Sequence, residues 1–105
     1  MREDKCLEFK ENIQSNTFLK TISAFANYGT GEIIFGIDDD GIIKGVDNPE
    51  DACLRLENKI NDNLKPIPRY ELDIRNDSTI TLKVFESDFK PYLYKGKAYK
   101  RYDCS

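Results

Sequence analysis

A chain of 105 residues has room for one hydrophobic core and one domain, expected here to span residues 1–105. With 39% apolar and 33% charged residues it is neither a disordered chain nor, lacking any apolar stretch near about 20 residues, a membrane-spanning one. It has no histidine and a net charge of −3, which excludes Ser-His and Cys-His nucleophile pairs, the usual Cys/His zinc sites and a uniformly basic nucleic-acid binder.

The charged start from Arg2 to Lys5 does not read as a signal peptide. Cys6, Cys53 and Cys104 are odd in number and far apart, so no disulfide framework is expected, and a cytoplasmic location follows as the simplest reading. In chain order, Leu7 and Phe9 alternate with Glu8 and Lys10 as in a half-buried strand. Asn12 to Thr17 offers helix caps, and Phe18, Leu19, Ile22, Phe25 and Ala26 recur at helical steps, which predicts a helix near 17–28. Gly29 and Gly31 are expected to stop it in left-handed conformations. Ile33 to Ile37 is apolar on both parities, as in a central strand covered on both faces, and Gly36 within it implies a close approach.

Asp39-Asp40-Gly41 signals a hairpin returning through Ile42, Ile43 and Val46. Asn48-Pro49 then caps a second helix over 49–64, with Cys53, Leu56, Ile60 and Leu64 inside and Pro66 and Pro68 beyond it. Tyr70, Leu72 and Ile74 pair with Ile80, Leu82 and Val84 in another hairpin, and Ala98 to Tyr102 offers a last strand. The expected order is β-α-β-β-α-β-β with one further strand, an α+β arrangement of two helices on a mixed sheet.

Glu3, Glu8 and Asp39 are candidate metal ligands. If the first strand and the turn after the central strand are adjacent, these three carboxylates converge, and Mg²⁺ or Mn²⁺ would relieve their repulsion and activate a water toward a phosphodiester. Otherwise Glu3 is solvated and Asp39 serves its turn. Gly29-Thr30-Gly31 lacks the Gly-Lys-Ser/Thr ending and runs helix to strand, so nucleotide binding through it is rejected. Asn27 caps the first helix or reaches a ligand.

Charge is unevenly spread. Residues 1–47 are mainly acidic, whereas residues 83–101 interleave Lys95, Lys97, Lys100 and Arg101 with Tyr99 and other aromatics. Aromatics beside cations suit single-stranded nucleic acid. Equally, alternate aromatics fill a sheet face while lysines protect an edge. Lys10 and Arg101 each end or follow a strand where a phosphate would dock.

Leu7-Glu8-Phe9-Lys10, Ala24-Phe25-Ala26-Asn27, Phe35-Gly36-Ile37-Asp38-Asp39 and the late Tyr99-Lys100-Arg101 together resemble the Schlafen AlbA-type domain, a divergent Alba-like module linked to DNA binding. The resemblance implies an Alba-like fold at the N-terminal part of a longer bacterial transcriptional regulator or helicase-related protein carrying an ATPase-like or regulatory domain. It implies DNA or RNA as partner. In animal relatives a Glu-Glu-Asp metal site cleaves structured RNA, and that pattern falls on Glu3, Glu8 and Asp39. Thr30 stands where the family often has a glycine, and Asp103 or Cys104 replaces the glycine expected after the arginine. The expected function is nucleic-acid binding. The alternatives are a metal-dependent ribonuclease and a dimerisation or protein-interaction module, with a homo-oligomer as the sign of the last.

Overall fold

The computed structural model describes residues 6–100. Its elements are β1 (Leu7–Lys10), α1 (Phe18–Tyr28), β2 (Gly31–Phe35), α2 (Pro49–Asn63), β3 (Leu64–Lys65), β4 (Tyr70–Ile74), β5 (Ile80–Val84) and β6 (Leu93–Tyr94). The main sheet runs β1-β2-β5-β4, with β1 parallel to β2 and the other pairs antiparallel; β3 and β6 form a separate two-stranded ladder. This is the expected α+β architecture of a mixed sheet and two helices.

The register decides which side chains face the helices. Ile33 lies opposite Leu82, which lies opposite Leu72; Phe35 lies opposite Ile80. Residues paired in this way share a face of the sheet. Ile33, Phe35, Ile80 and Leu82 form one buried cluster with Phe18, Leu19, Ile22 and Phe25 of α1 and Ala52, Leu56 and Ile60 of α2, and Leu72 packs half-buried against it. The parallel pairing puts Glu8 level with Ile33 and Lys10 level with Phe35, so these two charged residues lie on the helix side. Leu7 and Phe9 take the other side with Glu32 and Ile34. Alternation alone reveals that a strand has two faces, not which of them the helices cover.

Several local expectations change. Gly29 ends α1 with φ 162°, extended rather than left-handed, while its N–H closes the last turn on the Phe25 carbonyl at 3.0 Å. Segment 42–46 forms no strand. Ile37 and Ile43 make a single bridge, and Ile42 and Ile43 are exposed, because Asp38 Oδ1 accepts the N–H groups of Asp40 and Ile42, both at 2.9 Å, and curls the chain into a turn. Gly36 is the close approach its position implied: with φ +103° its backbone lies against Gly45, where a Cβ would sit 3.0 Å from the Gly45 carbonyl carbon. Ile34 is half-buried, so β2 is fully covered on the helix face alone among the described residues. Leu64 leaves α2 and starts β3. Cys6 is disulfide-bonded and Cys53 free, a pairing through space that sequence spacing does not reveal. No helix among the described residues is long and apolar enough to cross a membrane.

Candidate nucleic-acid interface

α1 carries the site because it is buried on nearly every side. Phe18 to Asn27 is buried apart from Lys20, including the polar Thr21, Ser23 and Asn27. The sheet takes one flank. A strap of chain from Tyr92 to Tyr99 crosses another, fastened to α1 by side-chain hydrogen bonds. The Asn27 amide grips both backbone groups of Tyr92: Oδ1 accepts its N–H at 2.6 Å and Nδ2 donates to its carbonyl at 2.8 Å. Ser23 Oγ donates to the same carbonyl at 2.8 Å and accepts the Tyr99 N–H at 3.1 Å. Asn27 is thus neither helix cap nor ligand-reaching group; it is a buried clamp, 3% exposed. The helical stripe showed only the apolar residues, although two polar side chains one turn apart on a buried helix were a visible sign that another segment must satisfy them.

Inside the strap, Lys95 and Gly96 form a tight turn. Both have positive φ, 52° and 76°, and Tyr94 and Lys97 exchange backbone hydrogen bonds of 2.9 and 3.1 Å across it. This is the two-residue hairpin geometry that matches strand twist. It lifts Lys95 and Lys97 into solvent. No strand forms over the described residues 98–100.

The aromatics of the C-terminal third divide between both expected roles. Tyr92 and Tyr94 belong to the core, and Tyr99 packs half-buried against it. Phe85 lies between Arg69 and Lys83, whose charged groups are 4.6 and 5.2 Å from its ring centre. Tyr28 and Phe89 are exposed. Along α1 and the strap, lysine ammonium groups sit over rings: Lys20 on Tyr99 at 5.7 Å, Lys95 on Tyr94 at 5.5 Å, and Lys100 on Tyr28 at 5.3 Å. Lys20, Lys95, Lys97 and Lys100 make no ion pair among the described residues. Their charge is therefore open to an anion, with rings beside it. Lys20 and Lys83 were not among the site residues expected from sequence; only packing brings them beside Tyr99 and Phe85.

The acidic candidates form a different picture. Glu8 Oε2 accepts a hydrogen bond from Thr21 Oγ1 at 3.1 Å and lies 3.6 Å from Lys10 Nζ. Lys10 Nζ in turn donates to Thr17 Oγ1 at 2.9 Å, so this lysine fastens β1 to the start of α1 and stands apart from the strap lysines. Asp39 is exposed at the turn that Asp38 organises, four residues past the end of β2, whereas Glu8 is level with Ile33 inside it. Glu3 and Arg101 lie outside the described residues. Among those described, no three carboxylate or thiol side chains gather as a metal cage, and Glu8 is already neutralised by Lys10.

A family model described as Schlafen, AlbA_2 matches residues 3–105. The chain belongs to the Schlafen AlbA_2 family. Among solved structures, this AlbA_2 domain is similar to the N-terminal domain of a RecG-related protein from Nitrosomonas europaea, at 25% identity and TM-score 0.65, over 100% of this chain and 83% of that one. It also resembles the DIP2311 protein from Corynebacterium diphtheriae, at 15% identity and TM-score 0.67, over 96% of this chain but 21% of that one, a likeness of fold. No relative is found among curated protein sequences.

Proposed function

We propose that the domain is a nucleic-acid-binding module of a larger helicase-related protein. The carrying observation is the set of lysines seated on aromatic rings along α1 and its strap, Lys20, Lys95 and Lys100, with Lys97 beside them, none of which makes an ion pair among the described residues. Ammonium groups there meet phosphates, and the exposed Tyr28 ring beside Lys100 offers a face to a base. Membership of the AlbA_2 family and likeness to a domain of a RecG-related protein support this reading. Arg101 would extend the row beyond the described residues.

Titration of labelled single-stranded and duplex oligonucleotides at low and moderate salt tests it. Two to four phosphate contacts give a log–log salt slope of about −1.4 to −2.8 on single strands. A folded chain that binds neither substrate at low salt would remove the proposal and leave the lysines as edge protection. The same preparation, incubated with structured RNA and Mn²⁺, checks the competing ribonuclease reading. Cleavage abolished by both Glu8→Gln and Asp39→Asn would put catalysis ahead of binding.

A further inference from the structure

Phe89 is 81% exposed, more than any other large apolar side chain among the described residues. A single exposed apolar residue is ordinary. The loop that carries it is less so. The Ser87 N–H donates to the Ala26 carbonyl at 3.2 Å, and the Asn27 amide holds Tyr92 at the other end. Both feet of the loop therefore stand on consecutive residues at the end of α1, and the next residue is Tyr28. Between the feet, Phe89 donates its N–H to Ser87 Oγ at 3.3 Å, and Lys90 pairs with Glu86. The Phe89 Cα lies within about 7 Å of the Ser87 foot, since two residues reach no further. Tyr28 itself is 40% exposed, with the Lys100 ammonium 5.3 Å from its ring centre. A buried clamp thus anchors, at the same end of α1 as one exposed ring with a cation, the loop that carries a second exposed ring with no polar handle.

We propose that Phe89, with Tyr28 and Lys100, forms a stacking station for an unpaired base, and that the domain therefore selects single-stranded nucleic acid over duplex. This rests on the nucleic-acid reading above. A flat ring without donor or acceptor has no use for base edges or phosphates, but it can take the π-face of a base. Bases inside a duplex already stack on one another and offer no free face. Lys100 then supplies the phosphate contact next to the stacked base.

The test compares single-stranded and duplex oligonucleotides of one sequence against the wild-type chain, Phe89→Ala and Phe89→Trp, with circular dichroism confirming the fold. Phe89→Ala is expected to weaken single-strand binding by about 5- to 150-fold, the range of one base–aromatic stack. Duplex affinity and the salt slope should not move, because no charge is lost. Phe89→Trp should restore single-strand binding. If wild type binds but Phe89→Ala does not change single-strand affinity, or weakens both substrates equally, the stacking station is wrong and the broader reading stands. If wild type binds neither, both fall together.

Discussion

Asn27 shows how much a single amide can organise. Its truncation to alanine leaves the Tyr92 N–H without its acceptor in a buried site and removes one of two donors to the Tyr92 carbonyl. The expected loss is about 2–4 kcal/mol, the cost of stranded buried polar groups, read as a lower urea midpoint at unchanged slope. Gly31 is set by packing: a Cβ there would lie 2.3 Å from the Phe25 ring. Gly31→Ala should cost about 1–3 kcal/mol by overpacking, and Phe25→Leu should recover part of it in a double-mutant cycle. Two titrating groups extend this scale. Burial first, then Glu57, Glu50 and Asp73, push the Cys53 thiol above its ordinary range. Its alkylation should begin at higher pH than that of a free cysteine and shift back toward the ordinary range in Glu57→Gln. The Asp77 carboxyl is held low, chiefly by the Thr79 hydroxyl at 2.6 Å and also by the Thr79 N–H at 3.0 Å. A folded-state value below the unfolded one gives stability that is present above the ordinary carboxylate range and lost as pH falls through the lowered value. Asp77→Asn should flatten that acid limb of the unfolding curve.

Among the elements, the strap turn sets stability against binding. Lys95 holds a positive φ that a two-residue hairpin gives more readily to asparagine or glycine. Lys95→Asn should therefore stabilise the domain by about 0.5–1 kcal/mol while weakening nucleic-acid binding, so thermal melting and titration should move in opposite senses. Both helices and the β4–β5 hairpin were legible because their apolar residues recur at periods that only those elements satisfy. The strap was not. Its two-residue strand Leu93–Tyr94 and the strand it pairs with, Leu64–Lys65, are too short to show alternation, and its attachment to α1 runs through Ser23 and Asn27, 65 to 76 residues away in sequence. The site divides in the same way. Lys95, Lys97 and Lys100 stood out by composition, whereas Lys20, 75 residues before Lys95, joins them only through the strap's path over α1. Lys10 stood out because a strand end is a fair place for a phosphate contact; parity and the parallel register put its ammonium 2.9 Å from Thr17 Oγ1.

For the whole molecule, a net charge of −3 sets the range at which the lysine row can act. Beyond a Debye length of about 8 Å at physiological ionic strength the acidic remainder cancels it, so attraction is short-ranged and steeply salt-dependent. The double substitution Lys95→Ala with Lys97→Ala should make the single-strand salt slope shallower by about 1.4, roughly 0.7 for each lost contact, with the fold unchanged. The clamp has a last consequence, for where this domain can be cut. Ser23 and Asn27 face into the body of the protein and find their partners at Tyr92 and Tyr99. A shorter fragment ending near residue 90 would keep both helices and the whole four-stranded sheet. It would also uncover the part of the buried cluster to which Tyr92 and Tyr94 belong and against which Tyr99 packs, and leave two polar side chains half-dried with nothing to bind. Such a fragment should expose apolar surface to hydrophobic dyes and exchange its α1 amides rapidly, so the smallest autonomous folding unit reaches at least to Tyr99.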